Sequence, residues 1–382
     1  MRETDDLQLG FKKGLSCSHA LFLLRQTVDY FTSHGSNIFL TSLDASRAFD
    51  RVNHFKLFTI LNKSKVPKVF IRIVISWYCK LSVNVKWNNC LSDLFPSHSG
   101  VRQGGILSPL LFNCYVNVLI TRLRESDLGC KLHNYYVRCT MYADDLILIS
   151  ASILNLQCML DICTITGNEL GIKFNSAKSN CIHIGASTFN VLPDLLIDNQ
   201  IIVWSNKIKY LGVWIKSNVH FETDILDSRR KFFMSVNTVL TKCKLTCDMV
   251  KLQILESYCL PLLLYGSESG LLDDHMLSML NCCWNSVYRK IFGYFRWESV
   301  RNVMSALKKL NVVYMVNLRR ILFIRKLIFN ISDNYTLRGI VTKYINYNEF
   351  QTVLNKFNID PFLPEYKIKE LFHSHFLSTC HD

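Results

Sequence analysis

The sequence predicts an α+β fold, in which an antiparallel sheet is backed by helices and followed by a mostly α-helical region. Strand-like and helix-like segments mix up to about residue 218, without the regular strand–helix–strand repeat of a parallel sheet. Beyond residue 219 the strand signals fade, and helical spacing of apolar residues dominates. The chain has 382 residues, which is enough for two or three domains.

Helical spacing marks several elements of the first part. One helix is predicted over residues 16–33, and a helical pair interrupted by a proline over residues 53–79. Ser108 followed by Pro109 is typical of a helix start, with serine as the N-cap and proline at the first helical position. A further amphipathic helix is predicted over residues 153–170.

Strand-like runs on either side of turn residues predict hairpins. One follows residues 82–87 and another spans residues 196–204, and each turns at two adjacent Asn or Asp residues. A third lies within residues 137–150, where an apolar, β-prone run is interrupted by Asp144 and Asp145. This pattern predicts a hairpin with two carboxylates at its tip.

The two adjacent carboxylates are candidate metal ligands. They repel each other and are costly to bury unless a positive charge compensates. Far upstream, the strand-like residues 38–43 end at Asp44, a third carboxylate. Oxygen ligands suit Mg²⁺ or Mn²⁺, and two ions about 3.5–4 Å apart can stabilise both oxygens of a phosphoryl displacement. A solvated turn is the alternative for an isolated Asp-Asp pair, and Asp44 favours the metal site.

The overall composition favours an intracellular protein, nuclear or cytoplasmic, with a polyanionic partner. The net charge of +14 indicates nucleic acid, with simple solubility as the alternative. The 15 cysteines are expected to be mostly buried thiols. The sequence has no apolar run long enough to span a membrane and lacks the apolar stretch of a signal peptide at its N-terminus.

The predicted helical region is basic, with 18 Lys or Arg against 10 Asp or Glu in residues 222–345. Within it, residues 288–297 interleave basic and aromatic side chains. Basic groups neutralise phosphates and aromatic faces stack on bases, which indicates a nucleic-acid contact. A helix with core aromatics and a solvated basic face is an equally good interpretation.

Six short segments between residues 8 and 216 stand in an order that identifies a family. They are Gln8–Cys17, with Lys12 where the family usually has Arg; Leu43–Val52; Gly100–Phe112; Tyr142–Asp145; Gly171–Ser179; and Ile208–Val213. Together they resemble the reverse transcriptases of non-LTR (LINE-like) retrotransposons. Six local signals in one order are difficult to obtain by chance.

The resemblance implies a right-hand polymerase. Residues 1–218 would form the palm with partial fingers, residues 219–300 a helical thumb, and residues 301–382 a helical C-terminal segment with a flexible tail. The thumb and the C-terminal segment would hold the template–primer duplex. The family's upstream fingers, which carry a basic triphosphate clamp, and its endonuclease domain have no counterpart in this sequence, so an N-terminally truncated member is expected.

The activity that the resemblance implies is RNA-directed DNA polymerisation. The partners would be an RNA template, a DNA primer and dNTPs, without a membrane, and the cofactors two Mg²⁺ or Mn²⁺ ions. A catalytically inert fragment that binds RNA or DNA is the first alternative. Another right-hand polymerase, such as an intron-encoded maturase or an RNA-dependent RNA polymerase, is the second, and Phe49 and Ala143 favour DNA synthesis.

The resemblance also implies roles for single residues. The catalytic and metal-binding groups would be Asp44, Asp144, Asp145 and the carbonyl of Ala45. The nucleotide-binding residues would be Phe49 as a steric gate, Arg102, Gln103, Gly104 and Lys178. The primer-binding residues would be Tyr142, Tyr210, Leu211 and Gly212. A core phenylalanine remains the alternative for Phe49, and a surface lysine the alternative for Lys178.

Overall fold

The computed structural model describes residues 4–132, 134–187, 191–270, 272–329, 334–344 and 348–381. The chain divides into two compact units. The first comprises Met1–Gly212 and Lys216–Phe221, and the second comprises Val213–Ile215 and Glu222–Asp382.

The first unit mixes helices and strands. Its described helices are α1 (Cys17–Ser33), α2 (His54–Lys63), α3 (Lys68–Cys79), α4 (Ser108–Glu125) and α5 (Ile153–Leu170). Its described strands are β1 (Ile38–Leu43), β2 (Ser82–Val83), β3 (Lys86–Trp87), β4 (Cys90–Leu91), β5 (Phe95–Pro96), β6 (Cys130–Leu132), β7 (Tyr135–Val137), β8 (Cys139–Tyr142), β9 (Asp145–Ser150), β10 (Asn180–Ile184), β11 (Leu195–Ile197), β12 (Gln200–Trp204) and β13 (Lys207–Tyr210). Strand β14 (Val213–Lys216) follows at the sequence division between the units.

A six-stranded sheet forms the centre of the first unit, in the order β11-β12-β10-β1-β9-β8. Its pairings are antiparallel except for β10 with β12. Helix α1 contacts β1 and β8, and helix α5 contacts β9 and β11. The sheet is thus backed by helices, and the predicted α+β fold class is confirmed.

The central strands are apolar because both of their faces are covered. In β9 every residue after Asp145 is buried, and in β1 only Ser42 is half-buried. A strand buried on both faces shows a continuous apolar run instead of an alternating one. The run that follows Asp145 in the sequence is therefore explained by its place inside the sheet.

The predicted hairpins are confirmed, and so are the reasons for their turns. The loops between β3 and β4 and between β11 and β12 each consist of two residues with positive φ: Asn88 at 43°, Asn89 at 63°, Asp198 at 51° and Asn199 at 61°. Asn and Asp adopt this left-handed conformation more readily than other non-glycine residues, and such turns match the twist of paired strands.

One local prediction is wrong. Ser108 is the first residue of α4, and the N-cap position is occupied by Leu107. The Ser108 hydroxyl donates to the carbonyl of Arg102 at 2.5 Å, so it is not available to cap the helix. The serine stabilises the loop that precedes the helix.

The second unit is almost entirely helical. After β15 (Glu222–Asp224), its described elements are α6 (Leu226–Lys242), α7 (Asp248–Tyr258), α8 (Leu260–Leu263), a 3-10 turn (Ser267–Ser269), α9 (Asp274–Phe292), α10 (Arg301–Ala306), α11 (Val312–Phe329), α12 (Tyr335–Tyr344), α13 (Asn348–Phe357) and α14 (Glu365–His381). In the described part of the chain, none of the helices combines the length and apolar character needed to cross a membrane.

The core of the second unit extends across residue 300. One hydrophobic cluster includes Trp284 of α9, Val316 of α11 and Phe376 of α14. A flexible tail was expected at the C-terminus, but helix α14 occupies residues 365–381 and buries Phe372 and Phe376. Aromatic residues spaced by four lie on one helical face, and this face packs into the core.

Candidate active site

The register of the central sheet brings the three predicted acids to one end of two neighbouring strands. Leu43, the last residue of β1, pairs with Leu146 of β9 in antiparallel register. The next position on each strand is therefore Asp44 on one side and Asp145 on the other. Asp144 lies in the loop that joins β8 to β9, because Tyr142 pairs with Asp145 and only two residues remain between them.

The loop between β8 and β9 contains a backbone conformation that is unfavourable for most residues. Ala143 has φ of 59°, in the left-handed region. This region costs a non-glycine residue about 1–2 kcal/mol, and such a conformation persists only where the surroundings hold it. The group that holds it is the side chain of Gln8.

Gln8 is completely buried and its amide binds both backbone groups of Ala143. Its Nε2 donates to the Ala143 carbonyl at 3.1 Å. Its Oε1 accepts from the Ala143 N–H at 3.1 Å and from the Gly10 N–H at 2.9 Å. One side chain thereby satisfies three backbone groups at the hairpin tip.

The backbone around Gln8 runs alongside β8. The Leu9 N–H donates to the Met141 carbonyl at 2.8 Å, and the Met141 N–H donates to the Leu7 carbonyl at 2.9 Å. A Cβ atom at Gly10 would lie 2.3 Å from the Ala143 nitrogen, so only glycine permits this approach. We call residues 7–10 the hairpin clamp. The role of this segment in holding the loop is not evident from the sequence, because Gln8 and Ala143 lie 135 residues apart.

Electrostatic repulsion accumulates at the three acids. Burial raises the pKa of Asp144, and the charge of Asp44 raises it further. Asp145 has an exposed side chain, yet partial desolvation raises its pKa, and Asp144 and Asp44 add to the shift. Lys178 is near the cluster, with its Nζ 3.9 Å from Asp44 Oδ2, but both side chains are largely open to water. A single screened lysine leaves negative charge uncompensated.

The acids fit divalent cations by their chemistry. Within the described ranges, no group of three or more His, Cys, Asp and Glu side chains is arranged to hold a metal ion by itself. Mg²⁺ does not require such a cage, because it usually keeps several waters and binds one or two carboxylates together with substrate phosphates. The raised pKa of Asp144 and of Asp145 shows that a positive charge would be favourable here.

The end of β1 is fixed by residues 173–179. The Asn175 N–H donates to the Asp44 carbonyl at 2.9 Å, and the Asp44 N–H donates to Ser179 Oγ at 3.2 Å. Ala45 forms an antiparallel bridge with Phe174, in which the hydrogen bonds come from the flanking residues. The bridge therefore does not use the Ala45 carbonyl. The same segment carries Lys178 toward Asp44.

Phe49 is half-buried and fixed by other aromatic rings. It stacks on Phe112 with ring centroids 4.1 Å apart, and Phe11 contacts it edge-on at 6.2 Å. Its carbonyl accepts from the Val101 N–H at 2.9 Å. The ring is thus held in one orientation by its aromatic neighbours, in a residue that is half-buried.

The segment of Arg102, Gln103 and Gly104 forms an exposed loop before α4. Gly104 has φ of 80°, a left-handed conformation that favours glycine. No atom lies within 4 Å of an added Cβ, so steric crowding is not the reason for glycine at this position. Gln103 Nε2 donates to Asp50 Oδ1 at 3.0 Å. Arg102, Gln103 and Asp50 line an open cavity of about 610 Å³ together with Ser82 and its neighbours.

The predicted primer residues differ in exposure. Tyr142 is half-buried, and burial together with the Cys17 thiol raises its pKa to about 12. Tyr210 is fully buried, which raises its pKa, and its hydroxyl lies 3.0 Å from Thr140 Oγ1 of β8. Leu211 is also buried, whereas Gly212 is exposed. The Tyr210 and Leu211 side chains therefore support the fold, and any direct primer contact in this segment falls to its backbone.

Comparisons with known proteins identify the family of this chain. The reverse transcriptase (RNA-dependent DNA polymerase) family matches residues 2–215. The chain is 29% identical over 181 residues to the retrovirus-related Pol polyprotein from type-2 retrotransposable element R2DM of Drosophila melanogaster, covering 47% of this chain and 17% of that protein. It is 28% identical over 200 residues to the transposon TX1 uncharacterized 149 kDa protein of Xenopus laevis, covering 52% and 15%.

A third relative is the RNA-directed DNA polymerase from mobile element jockey of Drosophila melanogaster, with 25% identity over 285 residues that cover 70% of this chain and 30% of that protein. The chain thus spans less than a third of the length of these relatives. Among solved structures, apo telomerase from Candida tropicalis superposes with a TM-score of 0.45 and 13% identity, covering 93% of this chain and 56% of that one. Since the family match covers more than half of the chain, the chain belongs to the reverse transcriptase (RNA-dependent DNA polymerase) family.

Proposed function

We propose that this chain is an RNA-directed DNA polymerase of a non-LTR retrotransposon. It would transfer a nucleotide from a dNTP to the 3′-hydroxyl of a DNA primer on an RNA template. The observation that carries the proposal is the convergence of Asp44, Asp144 and Asp145 at one end of the central sheet, with the pKa of Asp144 and of Asp145 raised. Uncompensated carboxylates at a sheet end are suited to phosphoryl transfer and have no evident structural use.

The proposed metal ligands are the three carboxylates and the carbonyl of Ala45. Two Mg²⁺ or Mn²⁺ ions, when bound, would supply Lewis acidity for the primer hydroxyl and neutralise triphosphate charge. The other residues of the chain hold these acids in position for the metal ions. The hairpin clamp holds the loop that carries Asp144, and the 173–179 segment holds Asp44.

The proposed nucleotide contacts are on the same unit. Phe49 has its ring orientation fixed by Phe112, so it could reject a ribonucleotide by a clash with the 2′-hydroxyl. Arg102, Gln103 and Gly104 lie exposed before α4 and would contact the incoming nucleotide. Lys178, whose side chain is largely exposed beside Asp44, is free to turn toward a triphosphate.

The proposed primer contacts surround the hairpin. Tyr142 directly precedes the loop and remains partly accessible, so its ring can pack against the primer terminus. Tyr210 would act from beneath, through its hydroxyl contact with Thr140 of β8. Leu211 and Gly212 have positive φ, and Gly212, the exposed residue of the pair, would contact the primer through its backbone.

Primer extension tests the proposal directly. A DNA primer annealed to an RNA template is extended with dNTPs and Mg²⁺ or Mn²⁺, using wild type, Asp144→Asn and the control Asp194→Asn. Asp194 is an exposed acid beside β11 at the far edge of the sheet. Extension should fall at least about 100-fold in Asp144→Asn, because a catalytic metal site contributes several kcal/mol to the transition state. The control should retain wild-type activity. Equal extension by Asp144→Asn and wild type would refute the assignment.

A further inference from the structure

Two exposed aromatic rings stack on each other immediately after α9. Phe295 and Trp297 have ring centroids 5.1 Å apart and parallel planes. They are 63% and 81% exposed, whereas Trp284 and Tyr288 of the preceding helix are completely buried. The aromatic and basic stretch singled out in the sequence thus has two parts: a core part within α9 and an exposed part, residues 293–298, which we call the aromatic loop.

The aromatic loop is a built structure. Gly293 ends α9 in the left-handed conformation, with φ of 72°. The Tyr294 N–H donates to the Arg289 carbonyl at 3.1 Å, and the Phe295 N–H donates to Glu298 Oε2 at 2.5 Å. Arg289 Nε donates to the Glu298 carbonyl at 2.9 Å. These bonds fix the backbone on both sides of the rings and hold the rings toward solvent. Binding of a ligand would therefore cost little conformational entropy for ordering the loop.

The surroundings of the rings are basic. Residues 289–301 contain four basic side chains, Arg289, Lys290, Arg296 and Arg301, and one acidic side chain, Glu298. The carboxylate of Glu298 is already engaged with the Phe295 N–H. Arg296 stands between the two stacked rings in the sequence and is exposed. Flat apolar faces beside unneutralised cations match a polyanion that also has flat faces, which is the chemistry of nucleic acids.

We propose that the aromatic loop is a stacking site for unpaired bases of a single-stranded nucleic acid. Bases would stack on the outer faces of the Phe295–Trp297 pair, and Arg296 would contact the adjoining phosphate. A duplex is disfavoured because its base faces are covered by their neighbours, whereas a single strand can turn its bases outward. This inference rests on the proposed function, since it gives the polymerase a contact with template outside the paired region. RNA and DNA single strands share the required chemistry.

Equilibrium binding of labelled 12-nucleotide oligomers, one RNA and one DNA, tests the site on the full chain without dNTPs. Fluorescence anisotropy is measured for wild type, Trp297→Leu, Trp297→Phe and the control Trp77→Leu, whose tryptophan is 62% exposed on α3 of the other unit. Removal of one stacking partner should weaken binding about 5- to 100-fold. Trp297→Phe keeps an aromatic face and should stay within about threefold of wild type, as should the control.

The salt dependence separates stacking from charge. Arg296→Gln should reduce the slope of log affinity against log salt by about 0.7, because one phosphate contact on a single strand is lost. Trp297→Leu should weaken binding while leaving this slope unchanged. Both rings are exposed, so all of these variants should keep the melting temperature of wild type.

The outcomes decide the inference independently of catalysis. Weakening confined to RNA, or shared by RNA and DNA, supports the site and tells which strands use it. The binding assay contains no dNTPs and requires no catalysis, so a failure of primer extension does not affect the result. Equal binding by Trp297→Leu and wild type overturns the proposal, as does an equal loss for Trp297→Leu and Trp297→Phe.

Discussion

Replacement of Gln8 by leucine should damage catalysis more than it damages the fold. The leucine fills a similar volume but leaves three backbone groups without partners: the N–H and carbonyl of Ala143 and the N–H of Gly10. Each buried polar group without a partner costs about 1–3 kcal/mol, so a rigid loop would lose about 3–9 kcal/mol. The loop can avoid most of this loss by turning the Ala143 peptide toward water. We therefore expect the free energy of unfolding to fall by only about 2–4 kcal/mol.

The relaxation that limits the loss of stability moves the catalytic acid. Asp144 follows Ala143 directly, and a displacement of about 1 Å can reduce a rate by about 100-fold. In steady-state primer extension, Gln8→Leu should lower kcat at least about 100-fold while KM for the dNTP stays within about threefold. This split distinguishes a positioning residue from a residue that binds substrate.

A control of similar instability separates the two effects. Leu156 is completely buried in α5, and Leu156→Ala should cost about 2–5 kcal/mol through the cavity it creates. At a temperature where both variants are folded, Leu156→Ala should keep kcat within about threefold of wild type. If folded Gln8→Leu also keeps kcat within threefold, the hairpin clamp does not position Asp144 and the reasoning is wrong.

Three further predictions concern the same unit. Asp144→Asn should raise the melting temperature at pH 7.5 in the absence of metal, because the raised pKa of Asp144 means that its charged carboxylate destabilises the fold. This gain should disappear as the pH falls through the raised pKa to the usual carboxyl range, where the wild-type carboxyl group is neutral. Mn²⁺ should raise the melting temperature of wild type but not of the variant, and differential scanning fluorimetry measures all three effects. Phe49→Val should increase the incorporation of rNTPs relative to dNTPs at least about tenfold in single-nucleotide extension, because a smaller side chain removes the clash with the 2′-hydroxyl. An unchanged ratio would exclude Phe49 as the steric gate. Gly10→Ala should destabilise the chain by about 2–4 kcal/mol in urea unfolding, because the new Cβ would lie 2.3 Å from the Ala143 nitrogen, and a loss below 0.5 kcal/mol would show that the contact adjusts freely.

The sequence predicted the elements whose signals are local. The β8–β9 hairpin follows from an apolar run interrupted by Asp144 and Asp145, and the other hairpins follow from adjacent Asn and Asp residues at their turns. The end of β1 at Leu43, directly before Asp44, was predictable for the same reason. In each case the residues that determine the backbone conformation lie within the element.

The features that the sequence did not reveal depend on distant partners. Gln8 lies 135 residues from Ala143, and nothing in its neighbourhood shows that its amide will be buried beside β8. Tyr210 was assigned to the primer because of its segment, but its hydroxyl is 70 residues from its partner Thr140. Helix α14 is different: Ile368, Phe372 and Phe376 have helical spacing and are buried, so this signal was available in the sequence.

The hairpin clamp also explains why position 143 suits a small residue. Ala143 combines a left-handed backbone with the close approach of Gly10, and both restrict the space around its Cα. A β-branched side chain there would be strongly disfavoured in the left-handed region, and the loop would then leave the conformation that Gln8 recognises. Glycine would permit the conformation but would allow others as well, which would weaken the hold on Asp144. Alanine is the compromise: it admits the conformation that the clamp binds, and the clamp supplies the hydrogen bonds that make this conformation the stable one.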